Sequence, residues 1–439
     1  MSFISGEHRR QGSLFPSTLE DLIPEDHFCR VLDLFVEKLD MEGVGFVRAE
    51  PAETGRPGYD PRDLLKLLSY GYFQQLRSSR RLEAESRRNV EVMWLLHHLT
   101  PDHKSIAEFR RLNGEAIARA TGELVKFAKS VGLVKGEWVV IDGSKFAAAS
   151  SSDSVREREA VTRYLEQVEK NDASEEAEIN QAAVAEALEK LRQHPEPEAG
   201  MMKTRQGFQP AYNVQTAVDV ASGLIVAQQV TTDKNDSQCL LPMAQAAQAA
   251  VGEPEQVLHV VADAGYGNGA QADACERAGI VTHVPTQTVM NHGNPGCFDR
   301  SRFAYDQPTD TYICPAGNTL ERHHQNHRSV VYEAKREQCA VCPLKSQCTA
   351  APRRVIKRHL HQAALERMQQ RVTPELMRLR RCCAEHPFAH LKYRIFGHPR
   401  FLLRGRKGAS TEIAIATLVY NLKRMRTLMG GSRFTEVFA

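Results

Sequence analysis

Apolar positions in this chain first recur with a helical period and later gather into short continuous runs. Within residues 16–50 a helix is predicted, entered from Pro24-Glu25-Asp26 and carrying Phe28, Val31, Leu32, Leu34 and Phe35. In GYDPRDLLKLLSYGYFQQL, Asp60 suits a cap and Pro61 a first turn, with Leu64, Leu65, Leu67, Leu68, Tyr72 and Phe73 at helical spacing. KSIAEFRRL holds the capping-box pair Ser105 and Glu108. The expectation is an all-helical N-terminal domain over residues 1–130. Its arginines (Arg77, Arg80, Arg81, Arg87, Arg88, Arg110, Arg111) suggest a DNA-binding or dimerisation role.

Beyond residue 130 the period changes. EWVVIDGSKF reads as a buried strand, and AYNVQTAVDV and GLIVAQQVTT as a hairpin turned at Ala221-Ser222-Gly223. QVLHVVADAG is a strand ending at Asp263, followed by a helix and the strand-like IVTHVPT. Strands alternating with helices after a meander predict an α/β domain over 131–425. Two insertions interrupt it: an acidic helical pair at 151–200 and a Cys/His-rich stretch at 288–352. Residues 426–439 are expected to form a C-terminal tail.

The composition is that of an ordinary globular chain, 42% hydrophobic and 25% charged. The net charge of +3 conceals an asymmetry: residues 1–135 are neutral, 136–352 carry −11 and 353–439 carry +14. A basic end beside an acidic middle fits a polyanion surface next to a carboxylate metal site. No apolar run approaches the roughly 18 residues of a membrane helix, and MSFISGEHRRQGSLF lacks a signal core. A cytoplasmic, nucleoid-associated protein with no membrane partner is expected, its cysteines reduced or metal-bound.

Asp142 and Asp263 each end an apolar strand just before a glycine, where sheets of this class collect ligands and metals. In MRLRRCCAEHPFAHLKYR, with a bend anticipated at Pro387, helical spacing puts Arg378, Arg381, Glu385 and Lys392 on one face. One carboxylate in a basic stripe suits a metal held beside phosphates. Asp219 and Asp236 compete, but read as a hairpin turn and a helix cap.

VVIDGSKF, YNVQTAVD, VVADAGYGNG and the R-x3-E-x6-K spacing of Arg381, Glu385 and Lys392 together resemble bacterial insertion-sequence transposases of the DDE class. The helical start, through DHKSIAEFRR, resembles the N-terminal domain of the same enzymes. The resemblance implies a ribonuclease H-like catalytic core with Asp142, Asp263 and Glu385 as catalytic and metal-binding triad. Two Mg²⁺ (or Mn²⁺) would serve cleavage at transposon ends and strand transfer into target DNA. Lys392 and Arg381 would grip phosphates, with Arg378 standing where the signature has Tyr. Tyr266 or Asn268 would help orient DNA. The implied partners are terminal inverted repeats, target DNA and a second copy of the chain. The rival expectations are a stand-alone metal-dependent endonuclease and a non-catalytic DNA-binding protein.

Cys314, Cys339, Cys342 and Cys348 supply four thiols from one insertion, two at C-x2-C spacing, which suits a structural Zn²⁺. The related transposases that carry such an insertion show a similar pattern. Further on, Arg394, Arg400, Arg404, Arg406 and Lys407 alternate with Tyr393, Phe396 and Phe401, the makings of a DNA track with stacking rings.

Overall fold

The computed structural model describes residues 18–438 except 52, 55–56, 173–180, 195, 253–255, 286–295 and 328. Residues 1–17 of the expected helical domain, and these gaps within the two expected insertions, therefore lie outside the described residues.

Six helices open the fold: α1 (Phe28–Glu37), α2 (Pro61–Phe73), α3 (Ser79–Glu85), α4 (Val90–Leu95), α5 (His103–Leu112) and α6 (Gly114–Ser130). Their starts are capped by side chains. Asp60 accepts the Arg62 amide at 2.7 Å, and Asn89 caps α4. Asp102, not Ser105, caps α5: its carboxylate takes the amides of Lys104 and Ser105 and the Ser105 hydroxyl. Ser105 is thus inside the helix, because the carboxylate three residues earlier is the stronger acceptor. The helix expected across 16–50 is confined to α1, since the chain turns at Asp40, whose carboxylate accepts the Gly43 amide at 2.9 Å.

The α/β part begins with β1 (Trp138–Ala147), followed by α7 (Ser152–Asp172) and α8 (Gln181–Gln193). β2 (Gly200–Thr204), β3 (Gly207–Asp219) and β4 (Ile225–Thr231) form the meander, and α9 (Leu240–Val251), β5 (His259–Val261), α10 (Gly269–Arg277) and β6 (Val281–His283) follow. In the sheet the order is β2-β3-β1-β5-β6, with β4 also on β3. β1 pairs antiparallel with β3 and parallel with β5. Antiparallel strands continued by parallel ones give the ribonuclease H-like core, with the helical region before it.

The Cys/His insertion holds a second, antiparallel sheet that the sequence pattern did not disclose: β7 (Ala304–Asp306), β8 (Thr311–Ile313), β9 (Thr319–Gln325), β10 (Ser329–Ala334) and β11 (Val355–His359). Two strands are three residues long and β9 is exposed along most of its length, so no alternation marks them. Short helices α11 (Arg336–Ala340) and α12 (Lys345–Cys348) lie between β10 and β11. After β11 come α13 (Gln362–Gln370), α14 (Pro374–Ala389), α15 (Gly405–Met429) and α16 (Gly431–Phe438). Residues 426–438 are not a loose tail: they complete α15 and form α16, whose Phe434 is fully buried.

α15 packs on α6, α2 and β4 alike, and one hydrophobic core runs from Phe28 through Leu124 and Val139 to Met425. A separate small cluster (Phe303, Tyr312, Leu320, Tyr332, Ala334, Ile356) supports the second sheet.

Candidate active site

Register sets the two aspartates side by side. Val140 faces Val261 across the parallel pair β1–β5, and Asp142 and Asp263 each lie two residues further on. Arg380 of α14 bridges them, its Nη2 2.6 Å from Asp142 Oδ1 and 3.3 Å from Asp263 Oδ2. Its Nε is buried without a partner. Burial, helped by the neighbouring Asp263 charge and opposed by Arg380, pushes the Asp142 carboxyl up to about 6. Asp263 also accepts the Gly265 amide at 2.8 Å, and a Cβ on Gly265 would stand 2.9 Å from that oxygen. At Gly143 a Cβ would meet Gln215 Nε2 at 2.3 Å and Asp236 Oδ1 at 2.7 Å. Both glycines therefore make room for polar groups beside the aspartates; Asp142 and Gly143 lie inside β1, which runs on to Ala147, rather than at its end as the apolar run suggests.

α14 packs on the sheet through Ala384 against Val140 and Val261. Glu385 is the next residue, exposed, as are Arg378 and Arg381. Asp142, Asp263 and Glu385 do not bring three carboxylate oxygens within 4.8 Å of one another. The structure thus joins the two aspartates and leaves Glu385 exposed on α14, outside that spacing. α14 continues through Pro387 into a π-helical turn, His390–Ile395, so the seven-residue offset from Glu385 to Lys392 does not run through regular α-helix. Lys392 still reaches the sheet, donating to Ser144 Oγ at 2.6 Å with its ammonium over the Phe146 ring.

Several residues take places that the sequence did not reveal. Arg380, between Arg378 and Arg381, is one of them: it lies one helical turn before Ala384, whose contact with the sheet only the fold shows. Asp236 is not a helix cap, because α9 starts without a side-chain cap. Its Oδ1 instead accepts from Asn213 Nδ2 and Gln215 Nε2, both at 2.7 Å, with Lys145 Nζ at 3.5 Å. Asp219 does close the β3–β4 turn, accepting from the Ser222 amide and hydroxyl. Tyr266 is buried with its hydroxyl on Gln215, and Asn268 caps α10, so each side chain already has a structural partner within the protein. Phe396 and Phe401 are core rings against Phe146, leaving Tyr393 the exposed aromatic of that loop.

Cys314, Cys339, Cys342 and Cys348 line one cavity of about 20 Å³. The Asn318 amide donates to Cys314 Sγ at 3.3 Å across a turn in which Gly317 has φ +80°. Burial raises the Cys348 pKa, with the other three thiols contributing beyond that. No three of the sulfurs come within 4.8 Å of one another. Among the described residues, the group that meets that spacing is His27, Cys29 and Glu91. There His27 Nδ1 accepts the Cys29 amide as the α1 cap, so Nε2 carries the hydrogen and faces Glu91. A metal on Nε2 would break the cap, since a ligating histidine donates from its other nitrogen.

The chain matches two families. The Transposase DDE domain model matches residues 189–422, and the Transposase domain (DUF772) model matches residues 17–112. No curated protein matches the chain.

Proposed function

The chain belongs to the Transposase DDE domain family as an insertion-sequence DDE transposase, and on that premise we propose that it cuts DNA at transposon ends and joins the freed 3′ ends to target DNA. The observation that carries this reading is the pair Asp142, within β1, and Asp263, two residues past the end of the adjacent parallel β5, with one guanidinium between them. Oxygen donors already sharing a positive charge fit a divalent cation.

Transposases of this family generally use divalent metal ions, and our reading assigns two Mg²⁺ or Mn²⁺ to Asp142, Asp263 and Glu385. Bound there, the cations would activate the attacking oxygen and neutralise charge on the phosphate. The protein's own groups do the rest. Arg380 holds Asp142 and Asp263 at one level, while the α14 backbone carries Glu385 next to the packed Ala384. Lys392, bonded to Ser144 two residues from Asp142, would hold a phosphate oxygen in this reading, and the exposed Arg378 and Arg381 of α14 would hold further phosphates. The cysteine cluster is assigned to a structural Zn²⁺. A homodimer on paired ends in the nucleoid completes the reading, residues 1–130 forming the DNA-binding or dimerisation part. No helix among the described residues is long and apolar enough to cross a membrane.

The test is cutting and joining of a labelled duplex carrying the element's ends, with Mg²⁺ or Mn²⁺. Asp142→Ala, Asp263→Ala and Glu385→Ala should each lower both steps on the order of a thousandfold or more while end binding persists. Cutting without joining would make the protein a nuclease. Binding without either step by the wild type would leave a DNA-binding protein only.

A further inference from the structure

The β2–β3 hairpin carries an exposed ring that the catalytic reading does not use. Phe208 is 66% exposed beside Gly207, whose φ of +101° turns the hairpin. Lys203 stands opposite it in register. The turn is stitched rather than loose: Thr204 Oγ1 donates to the Gly207 carbonyl at 2.9 Å and accepts from the Gln206 amide and from Gln209 Nε2. From Lys203 to Gln209 the segment KTRQGFQ has two cations and no acid. Phe208 thus joins an apolar face to two cations on a braced tip, the pairing of groups that suits base stacking beside phosphate contacts.

Register also gives the direction. Asp142 faces Thr216 on β3, and Phe208 lies eight residues earlier, hence on the same face of the strand as Thr216 and Asp142. Along an extended strand that separation is about 27 Å, close to eight base pairs at about 3.4 Å each. The Arg205 charge is felt at Lys392, whose ammonium it disfavours. A duplex laid over Asp142 and Lys392 would therefore continue onto this tip.

Resting on the transposase reading, we propose that the β2–β3 hairpin is a DNA-deforming arm, Lys203 and Arg205 holding phosphates while Phe208 wedges into a base step within about one helical turn of the cut. The partner is duplex DNA flanking the reacting phosphate, and stacking on the ring supplies the cost of opening the step.

The experiment places 2-aminopurine singly along ten base pairs to each side of the cut, in duplex bound to the full-length protein with Ca²⁺. One position should brighten with wild type, lose that change with Phe208→Ala, and regain it with Phe208→Trp. In Mg²⁺, Phe208→Ala should cut on the order of 10–100-fold more slowly, with Phe208→Trp near wild type. An unchanged melting temperature for Phe208→Ala checks its fold. A bright position that persists in Phe208→Ala, or no bright position and unchanged cutting, overturns the arm. A wild type that brightens one position through Phe208 yet never cuts would sink the transposase reading and leave the arm standing.

Discussion

Lys392 shows how burial tunes a single residue here. Its ammonium sits on Ser144 Oγ and over Phe146, and burial pushes its pKa down to about 8, with Arg205 adding to the shift and Asp142 opposing it. For a lysine depressed in this way, the cost of burying charge is in force below about pH 8. It fades as pH rises from there toward the ordinary lysine value of 10.5. The amine thus loses its proton in the range where it would have to hold a phosphate. DNA affinity should fall as pH goes from 7 to 9, with uptake of a proton on binding near pH 8. Lys392→Arg, charged throughout, should flatten that profile. A binding titration repeated at three pH values decides it; an equal slope in both proteins would mean that Lys392 does not touch the backbone.

Among the elements, the second sheet depends most on its cysteines. Its core is six side chains, and α11 and α12 are five and four residues long, too short to hold without help. Cys342→Ser should abolish binding of one Zn²⁺ per chain, read by native mass spectrometry, and expose this segment to protease while the main sheet stays protected. Retention of stoichiometric zinc would refute the four-thiol assignment. This element was also the least legible in the sequence, since strands of three residues cannot display a period of two. Strands β1, β3 and β4 were legible because long apolar runs such as EWVVIDGSKF have no other use in a chain of this composition. The two aspartates could be found because each ends such a run. Arg380 could not, because its role follows from the helix face that Ala384 turns to the sheet, a tertiary fact. The π-helical turn after Pro387 likewise defeats spacing arguments, which assume 3.6 residues per turn.

At the scale of the molecule, two buried carboxylates tie distant parts together. Glu412 of α15 accepts from Arg77 Nη1 at 2.8 Å, from Tyr72 at 3.0 Å and from the amides of Leu402 and Leu403 at 2.6 and 2.7 Å. Glu196 accepts from the amides of Ser150 and Gly405 and from Tyr212. Glu412→Gln removes the charge that balances Arg77 and should lower unfolding free energy by about 3 kcal/mol. Because the 402–403 backbone hangs on the same carboxylate, DNA binding should weaken in step, as denaturant curves and filter binding would show; a loss of binding with no loss of stability would separate the two roles. α15 belongs at once to the helices before the sheet and to the sheet itself, and α16 lies against α1. During synthesis, then, the first helices must wait for the last. At about 5–20 residues per second, the nascent chain spends many seconds with the seats for Ile413, Leu418 and Phe434 open. Ribosome-bound chains should be targets for chaperones and proteases until residue 438 emerges, so the supply of active protein is set by how often synthesis runs to that point.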